Sequence, residues 1–313
     1  MDPTSRRRFL YAAALLSATA LTTSSFSPKK HTPLLSFSTL GCPDWPFEKI
    51  ISFAARHGYA GIELRGLLRV MDLTRCPQFA DAASIASTLR QMKDHRLSFA
   101  DLGSSCMLHF PEGAERNSNL EEARRFIDLA AGIECPFVRV FPNEFPEGIP
   151  RQQTLDRIAR GLEQLAAHAK GSGVSVLVET HGALVETADI ITVMKAAAGP
   201  CAGLVWDVTN MWTVTGQSPA EVYGILQPYI RHTHIKDAVK TGSEVTYTLL
   251  GQGSVPIFEA IDALEAGGYT GYYSFEWEKL WHPEIGDPET ALADYSQKMK
   301  RHFASRATGR ATP

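Results

Sequence analysis

The sequence contains few cysteines for its length, and no two of them stand at CxxC spacing. The five are scattered along 313 residues: Cys42, Cys76, Cys106, Cys135 and Cys201. Zinc ribbons and disulfide frameworks need regularly spaced cysteines, so this pattern argues against both. An odd number also leaves at least one thiol unpaired, which suits folding in a reducing compartment.

An excess of charge of either sign is also absent. The formal net charge is −3 at pH 7, and charged residues make up 21% of the chain. A nucleic-acid-binding domain usually presents a basic face, so we expect no nucleic-acid partner. The hydrophobic content of 44% is that of an ordinary globular protein with a well-formed core.

The sequence has no long apolar run of the kind that spans a membrane. The longest apolar segment near the amino terminus, YAAALLSATAL, is short for a span and follows the basic segment SRRRFL. Together they predict a removable export signal over residues 1–30, and Arg6 and Arg7 resemble the twin-arginine type. An uncleaved membrane-tethering tail is the alternative.

This export prediction carries further expectations about partners and location. The twin-arginine export machinery would be a partner, and membrane contact would be confined to export. The mature protein would then be periplasmic or otherwise extracytoplasmic. It could also form a homo-oligomer, which the sequence does not decide.

No Pro- or Ser-rich linker interrupts the remainder of the chain. We therefore expect a single domain over residues 31–305 and a disordered tail over residues 306–313. Eight short apolar runs alternate with longer amphipathic stretches inside that domain. The runs are LLSFS, GIEL, LSFADL, FVRVF, VSVLVE, GLVWD, IRHTHI and YYSFE.

Strands that alternate with helices are expected to be parallel, with right-handed crossovers. Eight such units favour an α/β fold closed into a (β/α)8 TIM barrel. An open doubly wound sheet is the alternative. In such barrels the chemistry lies at the carboxyl ends of the strands, so the residues that end each run are the candidates for a site.

Four of the later runs end on, or contain, a side chain that binds metals. They are Glu179, Asp207, His234 and Glu276. The first two intervals, of 28 and 27 residues, each match one strand and one helix, whereas the third is 42. We expect the extra length to lie around TYTLLGQGS.

Three carboxylates and an imidazole at one rim would repel each other without a cation. The pattern therefore predicts one divalent metal ion. A ligand set that is rich in oxygen and has one histidine suits Mn²⁺, Mg²⁺ or Co²⁺, and Zn²⁺ is also possible.

Several motifs on successive runs now point to a family. VETHG, WDVTN, HTHIKD and SFEWE, in this order, resemble the xylose isomerase-like TIM-barrel superfamily, particularly its sugar phosphate isomerase/epimerase branch. The likeness extends over about residues 34–303 and takes in GYAGIEL, GQGSVPIFEAI and GYTGYYSFE.

This resemblance implies roles for the four rim residues. In ketose 3-epimerase members the matching side chains bind one metal, and the two glutamates also move the proton. Glu179, Asp207, His234 and Glu276 would then be the ligands, with Glu179 and Glu276 as catalytic acid and base on opposite faces of the substrate. Asn210 is a departure, because epimerase relatives often carry histidine there.

The chemistry expected from such a site begins with proton removal beside a carbonyl. A metal that polarises the carbonyl lets a carboxylate take the proton, giving an enediolate. The first hypothesis is a metal-dependent isomerase or epimerase acting on a small carbohydrate or polyol. A lyase or dehydratase that eliminates from a keto-sugar, keto-glycoside or keto-inositol is the alternative, and a non-catalytic carbohydrate-binding barrel is a weaker one.

Other polar or aromatic side chains near the run ends are candidates for contacts with that substrate. His181, Asn210 and Lys236 follow the later runs, Glu63 and Arg139 the earlier ones, and Trp45 could supply an apolar platform. Further candidates are Arg65, Ser104, Ser105, Asp237, Trp277, Trp281 and Phe141. His232 shares the inward direction of His234 but lies one layer deeper, so we expect it to support the site from below.

Overall fold

The computed structural model describes residues 32–307, and these form a closed barrel of eight parallel strands with helices around it. The predicted export signal and the last six residues of the predicted tail lie outside the described residues. Within the described part the (β/α)8 TIM barrel is confirmed. The barrel strands are β1 (Leu34–Ser38), β2 (Gly61–Leu64), β3 (Ser98–Met107), β4 (Phe137–Phe141), β5 (Ser175–Glu179), β6 (Ala202–Asp207), β7 (Ile230–Ile235) and β10 (Tyr272–Phe275).

Each strand pairs with its neighbours around the ring, and β10 closes the barrel between β7 and β1. The strands are short apolar runs because both of their faces are covered, by the barrel interior on one side and by helices on the other. All six residues of β6, for example, are buried. The register places Asp207 on β6 directly beside His234 on β7.

Nine α-helices are described between residues 32 and 307. They are α1 (Phe47–His57), α2 (Ala82–Asp94), α3 (Ala114–Gly132), α4 (Arg151–Ala169), α5 (Thr187–Ala196), α6 (Val208–Thr215), α7 (Pro219–Leu226), α8 (Ile257–Ala266) and α9 (Pro288–Ala307). Local signals set several of their ends. Asp81 caps α2 by accepting a hydrogen bond from the Ser84 N–H at 2.7 Å, and Gly58 ends α1 with a left-handed φ of 70°.

A short antiparallel hairpin separates β7 from α8, and the sequence pattern did not predict it. It consists of β8 (Asp237–Thr241) and β9 (Glu244–Thr248), so the extra length begins earlier than expected, directly after β7. The Asp237 carboxylate fastens the segment that follows, because it accepts hydrogen bonds from the backbone N–H groups of Gly251 and Gly253 at 2.7 and 3.0 Å. Asp237 therefore has a structural role here.

The carboxyl-terminal helix and the cysteines bear on further expectations from the sequence. The last helix continues to Ala307, and Arg306 on it forms ion pairs with Asp262 and Glu265, so ordered structure extends two residues past the expected domain end. All five cysteines are free. No helix between residues 32 and 307 has the length and apolar character needed to cross a membrane.

Arg116 on α3 ties this helix to the loop after β3 and to α4. Its buried guanidinium donates hydrogen bonds to the carbonyls of Leu108, Phe110 and Arg157 at 2.9, 3.2 and 3.1 Å. The arginine thus satisfies the buried Leu108 carbonyl and joins three backbone segments.

We expect Arg116→Met to lower the free energy of unfolding by about 2–4 kcal/mol, because it leaves the buried Leu108 carbonyl without this donor and removes the bonds to Phe110 and Arg157. Urea denaturation measures this change. Arg124→Met is the matched control, since Arg124 lies on the same helix, is partly exposed and forms a surface ion pair with Glu121 three residues earlier. We expect the control to change stability by less than about 0.5 kcal/mol. Equal losses in the two variants would contradict the role given to Arg116.

Candidate metal centre

The four predicted rim residues converge at the carboxyl ends of neighbouring strands. Glu179 and Asp207 end β5 and β6, His234 lies in β7, and Glu276 follows β10. One ligand atom from each lies within 4.8 Å of the others, and all four side chains are buried. His234 is central, because its Nδ1 atom lies 3.1 Å from Glu179 Oε1, 3.4 Å from Glu276 Oε2 and 3.8 Å from Asp207 Oδ2.

A lysine from the same strand end compensates part of this negative charge. Lys236 Nζ lies 2.8 Å from Asp207 Oδ2, 2.7 Å from Glu276 Oε2 and 2.5 Å from Glu278 Oε1. Lys236 is itself buried. Lys236 was predicted as a substrate contact. The structure places its ammonium among the candidate ligands, where carboxylates already neutralise its charge.

The pKa values of these groups follow from burial and from their neighbours. Burial disfavours a charged His234, but Glu276, Glu63 and Glu179 outweigh it and raise its pKa well above the usual value. Burial opposes ionisation of Glu179 too, yet His234 and Arg139 lower its pKa. Asp207 behaves differently: burial raises its pKa to about 7, Lys236 opposes that shift, and Glu276 and Glu179 add to it.

Glu63 lies below this cluster rather than at its surface. Its Oε2 atom contacts His232 Nε2 at 3.0 Å and His234 Nε2 at 3.1 Å, and it accepts a hydrogen bond from Ser274 Oγ at 2.8 Å. The side chain is fully buried. Glu63, which the sequence predicted as a substrate contact, therefore lies on β2 one layer deeper in the barrel than the rim.

Glu63 instead orients the candidate ligand His234. A carboxylate at Nε2 favours the proton on that nitrogen and leaves Nδ1 directed at Glu179, Asp207 and Glu276. His232 contacts the same carboxylate from the deeper layer, as its strand direction predicted. These three residues form a second cluster that has metal-ligating atoms, and it shares His234 with the first.

A small pocket opens above the rim residues. We call it the rim pocket, and it is lined by Leu40, Arg65, Arg139, Phe141, Glu179, His181, Lys236, Glu276, Glu278 and Trp281. His181 packs against Phe141, with ring centroids 4.6 Å apart, and burial together with Lys236 and Arg139 lowers its pKa against the opposing effect of Glu179. A larger pocket lies at the opposite end of the barrel, where β3 begins and where the chain enters β4.

Besides Glu63, two more of the predicted substrate contacts, Trp45 and Asn210, do not line the rim pocket. Trp45 is buried against Phe53 of α1, with ring centroids 5.0 Å apart, and Lys49 lies over its ring. Asn210 directs its side-chain amide to the Thr180 carbonyl at 3.3 Å. In the structure both side chains are committed to packing or to bracing the backbone, so neither stands as a wall of the pocket.

Two contributors to the site were missed in the sequence. Glu278 receives an ion pair from Lys236, and Tyr247 on the unpredicted hairpin places its ring 5.4 Å from the same ammonium. Glu278 had a detectable signal, because it stands two residues after Glu276 and so has the same direction along the chain. Tyr247 had none, since the hairpin itself was not predicted.

The donor set fits a divalent cation. It offers three carboxylates and one imidazole nitrogen within a sphere of coordination size. Glu179 Oε2 and Asp207 Oδ2 are buried and make no hydrogen bond among the described residues, although each lies near a cationic side chain. Buried carboxylate oxygens without hydrogen bonds are costly, and ligation would satisfy them.

Comparisons with known proteins agree with this fold. A family model described as xylose isomerase-like TIM barrel matches residues 51–302. An inosose dehydratase from Lacticaseibacillus casei is 26% identical over 169 residues, which cover 47% of this chain and 53% of that protein. The match thus spans about half the length of this curated relative.

Solved structures give similarity over most of the chain. The IOLI protein with a bound zinc atom has a TM-score of 0.70 and 16% identity, and the match covers 88% of this chain and 99% of that one. A probable 3-DHS dehydratase from Bacillus anthracis, described as involved in petrobactin synthesis, has a TM-score of 0.68 and 19% identity, with 85% and 98% covered. At these identities the likeness establishes the fold alone.

We expect Lys236→Met to destabilise the metal-free protein by about 3–5 kcal/mol, because it leaves buried carboxylates without their ammonium partner. Denaturant unfolding in the presence of a chelator measures the loss. Lys240→Met serves as the control, since Lys240 is an exposed lysine four residues later on β8. A loss no larger than that of the control would show that the carboxylates do not depend on Lys236.

Proposed function

The chain belongs to the xylose isomerase-like TIM barrel family, and from this premise we propose that it is a metal-dependent enzyme that enolises a polyhydroxylated ketone. One observation carries the proposal. Glu179 and Glu276 reach the same imidazole nitrogen of His234 from β5 and from the end of β10, which are separated in the barrel by β6 and β7. Two carboxylates from different sides of one centre are the arrangement that proton removal and return require.

Glu179, Asp207, His234 and Glu276 would hold the cation. When bound, a divalent ion supplies Lewis acidity that makes the C–H group beside a carbonyl acidic enough for a carboxylate. The protein's own residues then do the rest. Glu179 is kept ionised by His234 and Arg139, which lower its pKa, so it is available as a base at neutral pH.

Return of the proton at the second carboxylate gives an epimer or isomer of the substrate. Glu276 is in position for this step, with Oε2 at 2.7 Å from Lys236 Nζ. The ammonium hydrogen-bonds the carboxylate and holds it in place, and the surrounding carboxylates raise the pKa of Lys236 well above its usual value, so it keeps its own proton. Sugar epimerisation or isomerisation therefore needs no proton-transfer residue beyond Glu179 and Glu276.

Elimination is the second candidate outcome, and two relatives favour it. A hydroxyl group leaving from the carbon next to the enolised position needs a proton, and Glu276, which lies across His234 from Glu179, is the residue placed to return one. The inosose dehydratase and the probable 3-DHS dehydratase that resemble this chain carry out dehydrations by their names. Support for a lyase thus comes from these two relatives.

We expect the purified protein with Mn²⁺ in deuterated water to exchange the C–H proton next to the carbonyl of its substrate. The substrates to test are free ketoses, 3-keto-glucosides and a keto-inositol, followed by NMR and mass spectrometry. Deuterium in an otherwise intact sugar indicates epimerisation, and loss of water or of an aglycone indicates elimination. If no member of the panel exchanges or eliminates, the proposed enolisation is wrong.

Glu179→Gln and Glu276→Gln test the two carboxylates within this assay. We expect each to slow exchange by about 100-fold or more at saturating Mn²⁺, the usual contribution of a general acid or base. Glu265→Gln is the control, since Glu265 forms a surface ion pair with Arg306. Metal content is measured in parallel, so that a loss of proton transfer is distinguished from a loss of metal. Exchange at the unaltered rate in both rim variants would contradict their roles.

Binding of Mn²⁺ should strengthen as pH rises through the neutral range. The pKa of Asp207 is raised to about 7 and that of His234 well above its usual value, so the metal-free site holds protons that ligation must displace. Below these pKa values each displaced proton weakens the apparent affinity by about tenfold per pH unit. Isothermal titration in buffers of different ionisation enthalpy measures the released protons. An affinity that does not change between pH 6 and pH 8 would be inconsistent with this linkage.

A further inference from the structure

Arg65 is the buried cation of the rim pocket that lacks a partner. Its side chain follows β2 and is only 6% exposed. Its guanidinium forms no hydrogen bond or ion pair with any residue in the described part of the chain, and Nη1 is buried without an acceptor. The backbone N–H of Arg65 is hydrogen-bonded to Thr39, so the main chain is fixed while the charged end is not satisfied.

This arrangement is costly for the protein by itself. A guanidinium has five N–H donors, and burying a charged group without acceptors is among the most unfavourable changes in folding. Burial and the nearby Arg139 lower the pKa of Arg65 to about 9, against the more distant Glu122, Glu276 and Glu179. An acceptor from a bound molecule would satisfy this buried guanidinium and would account for an arginine at this position.

Arg139 brings a second guanidinium to the same place. It stacks on Phe141, with Cζ 3.8 Å from the ring centroid, and Arg65 Cζ lies 5.9 Å from the same ring. Arg139 donates through Nη1 to the Ser104 carbonyl at 3.0 Å, and its Nε lies 3.3 Å from Glu179 Oε2. No hydrogen bond of the described residues uses Arg139 Nη2, which leaves that edge available.

Gly103 on β3 provides the space for this pair. A Cβ atom there would lie 2.7 Å from Arg65 Cδ and 2.7 Å from Arg139 Nη2. The backbone of Gly103 does not have positive φ, so the glycine is required by the two arginine side chains and not by the chain conformation. Two like charges are thus held side by side on an aromatic ring next to the candidate metal centre.

We propose that Arg65 and Arg139 form a receptor for an oxyanion carried by the substrate, which would be a carboxylate or a phosphate group. This inference rests on the proposed function and narrows it from any polyhydroxylated ketone to an acidic one. Two guanidinium edges suit the oxygens of such a group and would hold the neighbouring carbons above Glu179 and Glu276.

Binding to the metal-free protein tests this proposal without any turnover. The probes are D-glucose, D-glucuronate and D-glucose 6-phosphate, which share a ring and differ in their charged group. We expect titration calorimetry to give at least about tenfold tighter binding of one acidic sugar than of glucose, as charge-assisted hydrogen bonds allow. Preference for glucuronate identifies a carboxylate, and preference for glucose 6-phosphate identifies a phosphate.

Arg65→Gln removes the charge while keeping a polar side chain of similar reach. We expect this variant to bind the three probes with affinities that agree within about threefold, because its contribution to the acidic probe was electrostatic. Arg69→Gln is the matched control, since Arg69 is four residues later, exposed and paired with Asp44. The control should keep the full preference for the acidic sugar.

Thermal unfolding of the metal-free variants separates binding from structure. We expect Arg65→Gln to unfold at or above the temperature of the unsubstituted protein, because it removes a buried charge that has no partner. Equal binding of all three probes to the unsubstituted protein would overturn the proposal. So would an unchanged preference in Arg65→Gln, or a lower unfolding temperature for it. Failure of deuterium exchange would contradict the proposed function and would leave these binding ratios as they are.

Discussion

Charge compensation at the carboxyl rim of the barrel is the constraint on which the rest of the site depends. The carboxylates of Glu63, Glu179, Asp207 and Glu276 are all buried, and each lies close to a ring nitrogen of His234. Buried carboxylates are tolerated only with partners, and the fold provides them as His234, Lys236 and Arg139. The proposed cation binding, proton transfer and recognition of substrate charge would therefore be coupled at one place.

The barrel explains how residues so distant in the chain meet. Parallel strands direct all their carboxyl ends to one rim, and the pleat makes inward side chains two residues apart lie in successive layers. His232 and Glu63 thus form a deep layer that orients His234, while Arg65, two residues after Glu63, reaches the pocket. Along a strand, one inward side chain therefore supports the site from the deeper layer, and the next inward side chain, two residues later, reaches the pocket.

The two halves of the rim make different contributions to the proposed reaction. Strands β5, β6, β7 and β10 carry the candidate metal ligands, and the ends of β2, β3 and β4 carry the arginine pair and the glycine that makes room for it. In the proposed reaction the first set would hold the cation and move the proton, whereas the second set would receive the charged group of the substrate.

The sequence by itself determined the eight-stranded barrel and the quartet of Glu179, Asp207, His234 and Glu276, because buried parallel strands and polar residues at their ends leave local signals. It did not determine the layer of Glu63, the packing of Trp45, the brace made by Asn210 or the hairpin that carries Tyr247. Only the tertiary structure decided these, since burial depth and pairing across strands depend on register and closure between distant segments. The sequence likewise could not show that the buried Arg65 guanidinium lacks an acceptor, because the neighbours of a side chain are set only when the chain folds.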